Sequence, residues 1–133
     1  MEGRQVFKIR SSNDGAFLSI EPAGPHAWFV RLEGPALAAE AKIYHERGDG
    51  IDAFFDSLAR DWKGWDGSRT WTALEADLEI GATSDALGHV SLAVCLYVRG
   101  LVGRWRASGV LIIDAGGLAR LADEAGRLSV TAR

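Results

Sequence analysis

Two stretches in the second half of the chain alternate with period two, and together they restrict the fold more than any other feature. Leu74, Ala76, Leu78, Ile80 and Ala82 alternate with Glu75, Asp77 and Glu79, and Val90, Leu92, Val94, Leu96 and Val98 alternate with Ser91, Ala93, Cys95 and Tyr97. Successive side chains of a strand point to opposite faces, so each stretch predicts a strand with one apolar face. Both apolar sets must meet one core. In an antiparallel pair, opposed residue numbers must then sum to an even number, which requires a connecting loop of odd length. A three-residue loop, Ala86-Leu87-Gly88, satisfies this, with Gly88 free to take the left-handed conformation. Asp85 and His89 then stand opposite each other on the non-core face.

The same reasoning extends along the chain. Val6–Arg10 predicts a strand that turns at Asn13-Asp14-Gly15, and Phe17–Glu21 predicts a second, ending at Pro22-Ala23-Gly24-Pro25. Ala27–Glu33 alternates clearly, with Trp28, Val30 and Leu32 on one face. The Ala36–Glu46 stretch has alanine-rich helical composition, yet Leu37, Ala39, Ala41 and Ile43 alternate with their neighbours, and we read it as strand. Ile51, Phe54, Phe55, Leu58 and Trp62 recur at helical spacing, with Asp49 as the expected N-cap and Gly64 as the stop. Beyond Val98, Arg104–Ile113 predicts a third strand of the second half. Asp114 is then expected to cap a helix carrying Leu118, Leu121, Ala122 and Ala125, stopped by Gly126, before a short edge strand at Leu128–Thr131. The fold class predicted is α+β: one domain over residues 1–133, mostly antiparallel sheet, β-β-β-α arranged twice with two main helices.

Composition excludes several function classes. At 133 residues, with 47% apolar and 25% charged residues, the chain is long enough to bury a core without disulfides or metals. The net charge is −3 and no Lys/Arg block stands out, so the footprint of a nucleic-acid binder is missing. No apolar run approaches bilayer-spanning length, and the N-terminal residues lack the apolar core of a signal peptide. The single cysteine, Cys95, cannot form an intrachain disulfide. A cytoplasmic protein without cofactor or metal is the expectation.

Three constellations are candidates for chemistry. The first is Trp62-Lys63-Gly64-Trp65-Asp66-Gly67-Ser68-Arg69-Thr70-Trp71, which holds three of the five tryptophans. Its structural role is to bend the chain and staple the bend to the sheet, with Lys63 or Arg69 over an indole face. Its functional role is an aromatic platform for a sugar, base or peptide, in which Trp65 and Trp71 are rimmed by Asp66 and Arg69. The second is the Asp85–His89 pair, an acid/base couple or two metal ligands; further ligands would come from His26, His45 or the acidic row. The third is the row Glu75, Asp77 and Glu79, ordinarily the wet face of a half-buried sheet. The following strand adds Ser91, Ala93 and Cys95, with Tyr97, to that face. These small residues predict a shallow trough bordered on its far side by Arg104 and Arg106, able to accept an extended peptide or another subunit. Nucleophilic and phosphate-binding motifs are missing: no G-x-S-x-G occurs, and Gly100-Leu101-Val102-Gly103 and Ala115-Gly116-Gly117 match neither phosphate fingerprint.

The residues from Ile51 to Val94 resemble the bacterial domain-of-unknown-function family 6228. The resemblance lies in a Phe-rich helix (Phe54, Phe55, Leu58) ending in Trp62-x-Gly64-Trp65-x-Gly67-x-x-x-Trp71. Leu74-Glu75 and then Asp85-x-x-Gly88-His89-Val90 complete it. Ala73 stands where serine is expected. The resemblance implies a small bacterial protein with no settled activity and transfers no catalytic residue. The leading expectation is a non-catalytic binding or protein-interaction module, with a protein or peptide partner or a second copy as homodimer. By size and charge alone it is comparable to immunity proteins of secreted toxins. The competing expectation is a metal-assisted or acid/base enzyme using His89, Asp85 and Glu75 in a pocket walled by Trp65 and Trp71.

Overall fold

The computed structural model describes residues 6–99 and 103–131. Met1–Gln5, Gly100–Val102 and Ala132–Arg133 lie outside that description, and so does most of the Gly100–Gly103 link. Two four-stranded antiparallel meanders alternate with two helices. The first comprises β1 (Phe7–Arg10), β2 (Phe17–Pro22), β3 (Ala27–Gly34) and β4 (Leu37–Tyr44), followed by helix α1 (Ile51–Arg60). The second comprises β5 (Arg69–Thr72), β6 (Leu78–Ser84), β7 (His89–Arg99) and β8 (Arg104–Asp114), followed by helix α2 (Leu118–Thr131). The α+β class therefore holds, with each helix closing a strand group of four rather than three.

Alternation chose strand correctly over helix at β4, where Ile43 is buried and its neighbours face outward. The parity argument also holds. Leu78 opposes Leu96, Ile80 opposes Val94 and Ala82 opposes Leu92, each pair summing to an even number. The three-residue turn between β6 and β7 forms, with Asp85 N donating to His89 O at 3.0 Å and Gly88 at φ +86°. One apolar cluster draws on both sheets and both helices, from Phe7, Leu18 and Trp28 through Phe55, Ile80 and Leu92 to Leu111 and Leu121. Ile51, Phe55 and Leu58 put the stripe of α1 into it, each contributing about 1.5–3 kcal/mol through burial. The two meanders join where Ser12 N donates to Ile112 O at 2.8 Å and Ile112 N donates to Ser11 Oγ at 3.0 Å.

Four expectations are corrected. The stretch from Leu74 to Asp77 is a turn: Leu74 is 59% exposed and Ala76 sits at φ +60°. The strand before it is Arg69–Thr72, which pairs with β6. The apparent alternation from Leu74 onward was a continuation of the β6 pattern across a hairpin end. Second, Trp62 lies beyond the end of α1 and is 55% exposed, so it does not complete the stripe. Third, α2 runs through Gly126 to Thr131, so there is no edge strand at Leu128–Thr131. Leu128 continues the buried spacing of Leu118, Leu121 and Ala125, and that packing outweighs roughly 1 kcal/mol of glycine penalty. Fourth, neither aspartate caps the helix expected of it by its side chain. Gly50 is the N-cap of α1, and Asp114 precedes the tight turn Ala115–Gly117 without a side-chain cap bond.

Candidate functional site

The tryptophan elbow is built into the frame. Trp71 is 6% exposed, and its indole N–H donates to the carbonyl of Asp49 at 2.9 Å. Trp65 is half-buried; its indole N–H donates to the carbonyl of Ala82 at 3.2 Å, and its backbone N–H donates to Ser84 Oγ at 3.0 Å. Arg69 lies over the Trp65 ring at 5.0 Å and donates to Asp61 Oδ2 at 2.7 Å and to the carbonyl of Ser57 at 3.2 Å. Lys63 lies 5.7 Å over exposed Trp62. Asp66 is exposed, on the rim of the elbow. The polar groups of Trp65, Arg69 and Trp71 are thus turned inward onto backbone and neighbouring elements.

The elbow secures an unusual turn. Arg47, Gly48, Asp49 and Gly50 all have positive φ, at 55°, 83°, 54° and 79°. Two of these are not glycine, and the left-handed region costs such residues about 1–2 kcal/mol each. Four contacts hold the turn. Asp49 accepts from the backbone N–H of Glu46 at 2.7 Å and of Leu74 at 2.8 Å, Trp71 donates to its carbonyl, and Gly48 N donates to His45 Nδ1 at 3.0 Å. His45 is 2% exposed and stacks on Trp28 with ring centroids 4.2 Å apart. Burial lowers the His45 pKa, with Asp49 opposing that shift in part.

At the β6–β7 turn, Asp85 caps the loop. Its Oδ1 accepts from the backbone N–H of Leu87 at 2.8 Å and of His89 at 2.9 Å, and Oδ2 lies 3.2 Å from His89 Nδ1. The two backbone donors hold the Asp85 carboxyl below the usual carboxylate range. His89 Nε2 faces Asp114 Oδ1 across the β7–β8 pair at 4.0 Å. Glu75 does not join them. It sits in the turn before β6, and the seven residues of β6 separate it from Asp85 by about 20 Å. The acidic row is broken as well: Asp77 is 8% exposed and meets Arg99 Nε at 3.1 Å, while Glu79 alone keeps the outer face of β6. Trp71 is buried against the strained turn and Trp65 against β6, so no pocket holds both with His89. Among the described residues no three His, Cys, Asp or Glu side chains gather as a metal site.

The outer face of the second sheet is different. Its side chains are Thr70 on β5, Gly81 on β6, Ala93 and Cys95 on β7, and Ser108 and Val110 on β8, with Glu79 at one side. They form an open concavity of about 400 Å³. Ser91 and Tyr97 lie on the same face, above and below Ala93 and Cys95. Ser108 Oγ donates to Cys95 Sγ at 3.5 Å, and Arg106 stands opposite Tyr97 in the register. The concavity lies where the trough was expected, with Glu79 as the charged residue in its lining; Arg104 and Arg106, expected as its far border, do not line it, and Arg104 lines a neighbouring depression with Tyr97 and Trp105. Sequence reasoning missed Thr70, Gly81, Ser108 and Val110 as members. The last two follow from the same parity argument applied to β7 and β8, whereas Thr70 needed β5 to be recognised as a strand.

No helix among the described residues is long and apolar enough to cross a membrane. No curated protein and no solved structure matches the chain. The model of a family of unknown function, DUF6228, matches residues 18–130, and the chain belongs to that family.

Proposed function

We propose that this protein is a non-catalytic interaction module that receives a protein or peptide partner on the outer face of its second sheet. A bacterial, cytoplasmic setting is part of the proposal, in keeping with the free thiol of Cys95. The observation that carries it is the concavity floored by Gly81, Ala93 and Cys95. Solvated sheet faces ordinarily bear long polar side chains; here the middle of the face is small and half apolar, bordered by charge. That arrangement suits an occupant lying along the strands.

The acid/base alternative would rest on the Asp85–His89 contact. That contact has a sufficient structural reason, because the same carboxylate caps the turn. Titration of ¹⁵N-labelled protein with a panel of short extended peptides tests the proposal. Amide shifts should centre on Ala93, Cys95 and Ser108 and vanish in Ala93→Trp, which fills the floor from the solvent side. Shifts confined to Asp85 and His89, or to Trp62 and Asp66, would contradict it. His89→Ala should leave peptide binding unchanged.

A further inference from the structure

The long β8 strand is the outer strand of its sheet. Its register with β7 is unbroken from Arg104 to Asp114. Ile112 turns both its backbone N–H and its C=O away from β7, toward Ser11 and Ser12. In an antiparallel strand, residues two apart repeat that direction. The N–H and C=O groups of Arg104, Arg106, Ser108 and Val110 therefore also point outward, and among the described residues no backbone group meets them. This leaves a seven-residue edge able to template another strand.

Two further observations say what kind of strand. Arg104, Arg106, Ser108 and Val110 put their side chains on the outer face, and neither guanidinium meets a carboxylate among the described residues. Arg99, across from Arg104, is already engaged with Asp77. Val110 on that face is 55% exposed, and Trp105, which alternates to the opposite face beyond the end of the core, is 74% exposed. Arginine and tryptophan are the residues most enriched where partners bind tightly. The outer strand of the other sheet offers a contrast: on β4, Glu40 pairs with Arg31, and Lys42 lies near the Tyr44 ring. Its charges are balanced, while those of β8 are not, although the whole chain carries −3.

We propose that the Arg104–Val110 edge binds an extended, acidic segment of a partner polypeptide as a fifth strand of the second sheet. Backbone hydrogen bonds supply the pairing, and carboxylates at alternate positions meet Arg104 and Arg106 on the outer face. A second copy is disfavoured: antiparallel pairing of two such edges over their full length sets Arg104 opposite Val110 and Arg106 opposite Ser108, which offers neither guanidinium a carboxylate. This inference rests on the interaction reading given above and specifies its partner.

The test uses seven-residue peptides alternating valine with glutamate, or valine with lysine, titrated into the whole protein. Binding is read by anisotropy and amide exchange. The glutamate peptide should bind, and the lysine peptide should bind at least about tenfold more weakly. Binding should slow exchange at Arg106, Ser108 and Val110. Arg104→Glu with Arg106→Glu should reverse the preference. Ser108→Pro, which removes an outward N–H that β7 does not use, should abolish binding with the circular dichroism unchanged. A glutamate peptide N-methylated at alternate residues on its pairing side should fail in the same way, without altering the protein. Four results would overturn the inference. Binding that ignores both proline and N-methylation, with shifts on Ala93 and Cys95, would leave the interaction reading standing. An arginine-dependent preference for a single-stranded oligonucleotide, or a dimer in sedimentation that pairs these edges, would name a different occupant. No binding by any peptide at millimolar concentration would remove both proposals.

Discussion

The tryptophan elbow and the outer face of the second sheet lie on opposite sides of β5 and β6 and use their residues in opposite ways. At the elbow, two indoles, a guanidinium and Asp49 direct nearly every polar group at a backbone partner. The outer face has small side chains, an open concavity and a strand edge whose outward backbone groups have no backbone partner among the described residues. The elbow carries the unusual composition, yet its contacts are those of a clamp on a strained turn. The plain residues of β7 and β8 leave the surface where something can bind. Rarity in a sequence marks a residue that is hard to replace, and packing is a sufficient cause of that.

The sharpest way to break this contrast is to truncate on each side of it. Trp71→Ala removes a buried indole and its bond to Asp49, and is expected to cost about 3–5 kcal/mol in urea unfolding. Ala93→Trp on the outer face is expected to stay within about 0.5 kcal/mol of the parent. Equal losses would remove the distinction. Asp49→Ala should come next, at about 1–3 kcal/mol, because Glu46 and Leu74 each lose an acceptor and the left-handed turn loses a residue suited to it.

The buried His45 sharpens the comparison through pH. Its pKa is lowered in the folded protein by burial, and its Nδ1 must stay unprotonated to accept from Gly48. Over the interval between its folded value and the unfolded value near 6.5, the unfolded chain binds more protons, so stability rises with pH there. Its contribution is complete above about pH 6.5 and is lost as the pH falls toward the folded value. Unfolding midpoints compared at pH 7.5 and in mild acid should drop toward acid, and His45→Gln should flatten that slope. An unchanged slope would show that the turn is not held by a neutral imidazole. The smallest effect concerns Gly126. A Cβ there would meet nothing within 4 Å, so Gly126→Ala should raise stability by about 0.5–1 kcal/mol, seen as a higher melting temperature.

Much of this architecture was legible because side-chain alternation is enforced by one shared core. Parity placed the odd loop, the Asp85–His89 juxtaposition and, in the trough floor, Ala93 and Cys95, though Gly81 was missed. Failures came where a local pattern met a distant partner. The turn at Leu74 is fixed by the Asp49 carboxylate, 25 residues away in the chain. The positive φ of Ala76 has no glycine to announce it. Arg69–Thr72 was hidden inside the tryptophan run, since Trp71 reads as a loop anchor as easily as a strand residue. Gly126 misled because helix stops are judged locally, while Leu128 completes a stripe that only packing reveals. At the candidate site the small residues were readable from spacing. The exposure of Trp105 was not, as nothing in its neighbourhood tells an inward position from one beyond the end of the core.

Native-state hydrogen exchange, resolved by NMR, bears on the whole account at once. The Trp65 and Trp71 indole protons should exchange far more slowly than those of Trp62 and Trp105. Within β8, the backbone amides of Arg106 and Ser108 should exchange quickly although they lie inside an eleven-residue strand. Fast exchange at the Trp71 indole, or protection at Ser108 equal to that of Val94, would contradict both the closed elbow and the open edge.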